Sequence, residues 1–191
     1  MAEKSASFDP QIIATTCMRV VESTIQQMCN LTFSQSPQSV PRDIIEYDSR
    51  MRIFGMEIFN GPCYISVVNY YLTPKHLEDH DACGAFVLYL EEKVAGQLLK
   101  ALFKGFDDDE ESVMLDTCGQ FCHILGENFK NEISKQGYLD LSMSAPQNYR
   151  NNCPEGVEFH YDEYIKYETS FYFWKEKAMA VDITLSPVPE K

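Results

Sequence analysis

The segment MLDTCGQFCHILGEN, residues 114–128, has the spacing of a helix with one apolar face. An α-helix turns by about 100° per residue, so side chains three and four positions apart share a face. The apolar face of this helix and its continuation carries Leu115, Cys118, Cys122, Leu125, Phe129 and Ile133. The outward face carries Asp116, Gln120, His123 and Glu127 within a narrow arc. The segment therefore predicts a helix that packs on a core and presents four polar side chains outward.

Two of these outward side chains, the amide of Gln120 and the imidazole of His123, lie three residues apart. An amide both donates and accepts hydrogen bonds, and a histidine can in addition take up a proton near neutral pH. Both can orient a water molecule, but neither is a strong nucleophile here. Two interpretations are open: a polar face that is only solvated, which is the commoner case, and a rigid face that positions groups for a partner.

The composition of the 191-residue chain, 45% hydrophobic and 24% charged, is that of a globular domain with a sizeable core. We expect one domain over residues 8–185, with flexible ends at 1–7 and 186–191. The formal net charge of −13 argues against nucleic acid and anionic membrane surfaces as partners, because both are bound through basic patches. Seven singly scattered cysteines do not form a disulfide framework, so a cytoplasmic location is expected.

The order of the remaining elements predicts an α+β domain with helices packed on an antiparallel sheet. A helix should run from Asp9-Pro10 to about residue 30, and the polar residues 34–41, SQSPQSVP, are interpreted as a loop. Strands are expected at 44–59, 63–72 and 84–91, followed by a short helix at 92–104. After the long helix, extended stretches beginning at 138, 157 and 171 close the domain. Helix-then-strands occurs twice, which indicates pseudo-symmetric halves.

A possible metal site lies in the predicted loop TPKHLEDHDAC, residues 73–83. His76, His80 and Cys83 are residue types that bind zinc. Structural zinc sites use four ligands, and no clear fourth ligand is apparent, so a plain polar loop is the favoured interpretation. We therefore assign no metal ligand.

The chain resembles the CheC/CheX family, phosphatases that act on CheY-type response regulators in chemotaxis. In that family a helix carries Glu-x-x-Asn, and a Pro follows after twenty-two further residues; here Gln120-x-x-His123 is followed by Pro146 at that spacing. The stretch GAFVLYLEEKVAGQLLKALFKG, residues 84–105, is similar to the family's strand and small helix before the motif helix. The resemblance covers residues 8–185 and implies a pseudo-symmetric CheX-like fold.

The resemblance also implies a mechanism. The motif helix enters the phosphorylated site of the response regulator, where the family's Glu pairs with a lysine and its Asn orients the attacking water. The Mg²⁺ ion belongs to the regulator, so the phosphatase needs no cofactor of its own. Catalytic roles are thereby implied for Gln120 and His123, and partner-binding roles for Asp116, Glu127 and Pro146. Members with a single motif pair through sheet edges, which implies a homodimer.

Three functions consequently remain open, of which the most distant is a metal-dependent enzyme at His76, His80 and Cys83. The first is an aspartyl-phosphate phosphatase acting on a phosphorylated CheY-like response regulator in chemotaxis or two-component signalling. The alternative is a catalytically impaired CheX-like module that binds a response regulator or another partner without hydrolysis. Both chemical positions depart from the family motif, because Gln120 cannot form a salt bridge with a lysine and His123 is a longer ring than Asn.

Overall fold

The main feature of the fold is a seven-stranded antiparallel sheet with helices on one face and a three-stranded sheet on the other. The computed structural model describes residues 10–107, 110–159 and 164–187. The helices are α1 Pro10–Met28, α2 Met56–Phe59, α3 Pro74–Glu78, α4 Glu92–Leu102 and α5 Glu111–Ile133, the last continued by a 3-10 turn at Ser134–Gln136. The strands are β1 Gln35–Asp43, β2 Glu46–Tyr47, β3 Arg50–Phe54, β4 Cys63–Tyr71, β5 Gly84–Glu91, β6 Ser142–Met143, β7 Gln147–Arg150, β8 Asn152–Val157, β9 Ile165–Phe173 and β10 Glu176–Leu185.

The strand order of the main sheet is pseudo-symmetric. It reads β1-β9-β10-β5-β4, with β6 and β7 both pairing with the far side of β4. The first half of the chain contributes α1, β1, β4 and β5, and the second half contributes α5, β7, β9 and β10. Exchanging β1 with β7, β4 with β9 and β5 with β10 gives the same order read from the opposite edge of the sheet. The predicted α+β class is confirmed, and the repeated helix-then-strands order corresponds to this exchange.

The helical face of the sheet is covered by α1 and α5, which also pack on each other. Asn128 of α5 donates a hydrogen bond to the Thr24 hydroxyl of α1 at 3.0 Å. The core between helices and sheet includes Cys17, Val21, Ile25, Phe86, Leu88, Leu125, Phe129 and Phe171. The predicted inner face of α4 is also buried, at Val94, Ala95, Leu98, Leu99 and Leu102. The helical periodicity of the sequence therefore identified this layer correctly.

The opposite face of the main sheet is covered by the small sheet β2-β3-β8, which was not expected from the sequence. Its inward side chains Met51, Ile53, Cys153 and Val157 pack with Ile65, Val67, Val87 and Tyr89 of the main sheet. The prediction of one strand over 44–59 was wrong, because this stretch contains β2, β3 and α2. The chain reverses at Asp48 and Ser49, whose φ angles are 47° and 62°. Two-residue hairpin turns with a positive φ at both positions usually contain Asn-Gly, so the pair Asp-Ser did not indicate this turn.

Strand β1 occupies residues 35–43, where the sequence predicted a loop. It pairs with β9 at the edge of the main sheet, with Val40 opposite Glu168. Pro37 and Pro41 lack an amide hydrogen, which an edge strand tolerates because one side of its backbone needs no partner strand. The many polar side chains are explained by the strand's exposure to solvent. The position of β1 at the sheet edge, which local sequence does not encode, is the reason why a segment with two prolines can form a strand.

The end of the domain also differs from the predicted strand boundaries. The stretch expected to be one strand from residue 157 to 170 is divided between the end of β8 and the start of β9. The next hairpin turns at Trp174 and Lys175, with φ angles of 51° and 69°, rather than near residue 171. After β10, Ser186 is buried and its amide donates to the Cys83 carbonyl at 2.8 Å. The remaining predicted flexible ends, apart from residue 187, lie outside the described residues.

Candidate functional site

Helix α5 has the two faces that its sequence predicts. Cys118, Cys122, Leu125, Phe129 and Ile133 are buried, and Leu115 is half-buried against the same core. Met114 and Phe121 are buried too, because α5 contacts α4 and α1 as well as the sheet. The helix is consequently held from three sides, which gives its remaining face a fixed position.

The exposed face of α5 carries the four predicted polar side chains as a row, which consists of Asp116, Gln120, His123 and Glu127. Asp116, Gln120 and His123 are exposed, and Glu127 is half-buried. The Glu127 carboxylate accepts a hydrogen bond from Lys130 Nζ at 2.9 Å, so its charge already has a partner. Within residues 10–107, 110–159 and 164–187, the side chains of Gln120 and His123 have no hydrogen-bond or ion-pair partner. Both are therefore available to an incoming molecule.

Strand β7 runs beside this face, antiparallel to α5. A Cβ atom placed on Gly119 would lie 2.5 Å from Asn148 Nδ2 and 2.6 Å from Asn148 Oδ1. A Cβ atom placed on Gly126 would lie 3.0 Å from the Met143 sulfur. These two contacts fix the alignment of the helix with the residues that lead into β7 and with the strand itself.

Pro146 lies between these two contacts, and therefore at the level of the α5 turn that contains Gln120 and His123. The prediction that Pro146 ends a strand was wrong: it follows β6 and immediately precedes β7. Because β6 and β7 both pair with β4, the proline marks the interruption between two short edge segments. Pro146 thus lies beside α5, at about the height of Gln120 and His123 along the helix axis.

Asn148 also lies at this surface, and the sequence pattern did not predict it there. Its Oδ1 accepts a hydrogen bond of 2.8 Å from the Ser66 hydroxyl of β4. The Cys122 thiol in turn donates to the Ser66 carbonyl at 3.4 Å, so helix and two strands meet at this serine. The available signal was strand alternation, which places residues 146, 148 and 150 on one side of an extended chain.

Arg150 ties the end of β7 to the starts of α4 and α5. Its guanidinium donates to both Glu92 carboxylate oxygens, at 2.7 and 2.8 Å, and to Glu111 at 2.9 Å. These bonds raise the pKa of Arg150, chiefly through Glu92. The charge of Arg150 is therefore committed to the scaffold. The row itself combines the amide of Gln120 and the imidazole of His123 with the carboxylates of Asp116 and Glu127.

The two cysteines of α5 are unsuited to covalent catalysis. Cys118 and Cys122 are fully buried on the core side of the helix. Burial raises the pKa of the Cys122 thiol to about 12 and that of Cys118 well above its ordinary value. Both thiols are consequently protonated near neutral pH, whereas the thiolate is the reactive form. These two thiols therefore supply no nucleophile to the exposed face of α5.

The alternative metal site is separate from α5 and its members do not converge. Residues 74–78 form α3, where His76 Nδ1 lies 2.6 Å from the Thr73 hydroxyl. His80 lies 3.4 Å from Glu158, and the pKa of the buried Cys83 thiol is raised to about 12 by desolvation. In the described part of the chain, no group of three or more His, Cys, Asp or Glu is placed to hold a metal ion.

None of the described helices combines the length and apolarity that crossing a bilayer requires. The longest, α5, has exposed polar side chains along a full face.

Several solved structures have the same fold as this chain, and chemotaxis proteins are among them. CheX from Desulfovibrio desulfuricans superposes with a TM-score of 0.60 at 12% identity, covering 92% of this chain and 99% of that one. The CheX–CheY–BeF₃–Mg²⁺ complex from Borrelia burgdorferi gives a TM-score of 0.54 at 12% identity, covering 92% and 98%. FliY from Thermotoga maritima gives 0.56 at 12% identity, covering 95% and 93%.

Sequence comparison is less informative, because no protein-family model and no curated protein sequence matches the chain. At such low identity the likeness concerns the backbone, and it extends over almost the whole chain and almost the whole of each neighbour. The chain therefore has the fold of the CheC/CheX family.

Proposed function

We propose that this protein is a CheX-like phosphatase that hydrolyses the aspartyl phosphate of a CheY-like response regulator. The observation that carries the proposal is the pair Gln120 and His123, exposed on a rigid helix of this fold and without a hydrogen-bond or ion-pair partner among the described residues. The superposable CheX that was solved with CheY, BeF₃ and Mg²⁺ supports a regulator as the partner. Asp116 and Glu127 flank the pair on the same row, and Pro146 lies beside it at its level, so these three would contact the partner around the reacting group.

The chemistry fits a site without a nucleophile. A water oxygen bonds to phosphorus while the bond from phosphorus to the aspartate oxygen breaks, and its electron pair stays on the carboxylate. Both protons of the water finish on inorganic phosphate or in solvent. A neutral His123 would accept a hydrogen bond from that water and orient it, while Gln120 would hydrogen-bond the regulator. Catalysis of this kind is positioning, with the Mg²⁺ ion supplied by the regulator.

A binding module without hydrolysis is the second candidate. The observation in its favour is that neither chemical position has the family's residue, since Gln120 has no charge and His123 differs in length from Asn. Side chains in such sites must be held within about 0.5 Å of a productive geometry. A docking protein would retain the exposed row for recognition and would need no such accuracy.

The deciding experiment measures phosphate release from purified CheY-like regulators that have been phosphorylated with acetyl phosphate. Release with the protein is compared with each regulator's own dephosphorylation. We expect acceleration that His123→Ala abolishes and His123→Asn retains or improves. Binding of the phosphorylated regulator without acceleration would establish the docking module, and His123→Ala equal to the parent would refute the assignment of His123.

We propose a cytoplasmic location, because a phosphatase of this kind must meet a phosphorylated CheY-like regulator there. We further propose that it acts as a homodimer formed through a sheet edge. An edge strand has unpaired backbone groups that a second chain can pair with, and closed two-fold dimers are the commonest soluble assemblies.

A further inference from the structure

We propose that Asn148 is a third residue of this site and donates a hydrogen bond from its side-chain NH₂ group to an oxygen of the partner's phosphoryl group. The proposal deepens the proposed function and rests on it. It assigns a residue of β7, rather than of the motif helix, to direct contact with the phosphoryl group.

The position of Asn148 follows from its contact with Gly119. The side-chain amide lies against the Cα of Gly119, with its nitrogen, oxygen and carbon 2.5, 2.6 and 2.9 Å from where a Cβ would stand. His123 is one turn further along α5 and only about 40° around the helix axis from Gly119. Gln120 directly follows Gly119 and lies about 100° around the axis, on the solvent side. The Asn148 amide is thus at the foot of the exposed row, on the flank nearest His123.

The orientation of the amide is fixed through its oxygen. Ser66, which is fully buried, donates its hydroxyl to Asn148 Oδ1 at 2.8 Å. This bond directs the oxygen inward toward β4. The NH₂ group has no acceptor among the described residues, although Asn148 is only partly exposed. A half-buried amide that is held by its oxygen and has a vacant NH₂ group is a preoriented donor.

The charges around the row indicate which ligand atoms this donor serves. Lys130 is paired with Glu127, and Arg150 with Glu92 and Glu111, so these cations are already engaged. An aspartyl-phosphate group presents three phosphoryl oxygens, all of which accept hydrogen bonds. The neutral NH₂ group of Asn148 supplies a contact to one such oxygen without adding a further charge. The small size of Gly119 is what allows Asn148 to approach.

The test compares Asn148→Asp with the parent in phosphate release from a CheY-like regulator phosphorylated with acetyl phosphate. The substitution keeps the shape and an oxygen that accepts from Ser66, but it replaces the NH₂ donor with a second oxygen. Loss of a hydrogen bond to a charged group should lower the rate about tenfold or more. Asn152→Asp is the matched control, because it makes the same change at an exposed residue of β8, in the small sheet, and should leave the rate unchanged.

A binding measurement separates contact with the phosphoryl group from a structural role. Asn148→Asp should weaken binding to the regulator loaded with beryllofluoride and Mg²⁺ while leaving the affinity for the unloaded regulator unchanged. In NMR spectra, the side-chain NH₂ signals of Asn148, identified by their loss in Asn148→Asp, should shift only with the loaded regulator. An equal loss of affinity for both forms would show a structural role and overturn the proposal.

The two proposals fail in different ways. If the parent accelerates dephosphorylation and Asn148→Asp does so equally well, the role of Asn148 is refuted and the phosphatase stands. If the parent binds the loaded regulator without hydrolysis, the phosphatase fails, and the NMR shift still decides whether Asn148 makes the contact. If the parent neither accelerates nor binds, both are wrong.

Discussion

The contact between Gly119 and Asn148 leads to a prediction for the stability of the variant Gly119→Ala. The sign of the effect should depend on whether the Asn148 side chain is present. Replacing a helical glycine by alanine ordinarily stabilises a protein by about 0.5–1 kcal/mol, because the unfolded chain loses conformational freedom. In Gly119→Ala the new Cβ would stand 2.5–2.9 Å from three Asn148 atoms, so the amide must move away. Ser66 Oγ then loses its acceptor in a buried place, which costs about 1–3 kcal/mol.

The net result for Gly119→Ala in the parent is a destabilisation of about 1 kcal/mol. In an Asn148→Ala background the three closest atoms are already absent, and Ser66 has lost its acceptor beforehand. There, Gly119→Ala should stabilise the protein by about 0.5–1 kcal/mol. The same substitution is therefore expected to change sign between the two backgrounds.

The assay is urea unfolding of all four proteins, with free energies from midpoints at matched slopes. The interaction energy of the double-mutant cycle should be about 1–3 kcal/mol, well above the additivity error of about 0.5 kcal/mol. If Gly119→Ala has the same effect with and without the Asn148 side chain, the close approach has no energetic consequence and this account of the site is refuted.

Three further predictions address the faces of α5, the buried thiols and the assembly. Cys118→Ser should destabilise the fold by about 1–3 kcal/mol, because it buries a hydroxyl that lacks a partner. Gln120→Ala should change the free energy of unfolding by no more than about 0.5 kcal/mol. Equal shifts of the urea midpoint in the two variants would mean that the faces of α5 are wrongly assigned. The folded-state pKa values of Cys63, Cys83 and Cys122 are raised from 9.0 to about 12, so the unfolded chain releases these protons first. The stability of the fold should consequently be intact below about pH 9 and decline as the pH rises toward 12. Urea midpoints that stay constant over that alkaline range would contradict the burial of these thiols. Light scattering at micromolar concentration should give the mass of a homodimer, and a monomer would count against assembly through a sheet edge.

The three long helices α1, α4 and α5 were the part of the structure that the sequence determined by itself. The periodicity of α5 separated buried Cys118 and Cys122 from exposed Gln120 and His123, and that of α4 identified all of its inward residues. Helical hydrogen bonds join residues four positions apart, so the face of a helix is encoded in a short stretch of chain. The candidate pair on α5 was predictable for the same reason.

Tertiary structure decided what lies next to these helices. The strand β1 was hidden by two prolines and polar residues, which are acceptable only because the strand lies at the sheet edge. The small sheet depended on non-glycine residues with positive φ at Asp48 and Ser49, which local propensity disfavours. In both cases, contacts with distant segments outweighed the local signal.

The site itself divides in the same way. Gln120 and His123 are neighbours on one helix, whereas Asn148 and Ser66 reach the row only because β7 pairs with β4 beneath α5. The separation of 82 residues between Ser66 and Asn148 shows that no local pattern could have joined them. Helical periodicity fixes which side chains point outward together, and only the packing of strands fixes which other groups complete the surface that they form.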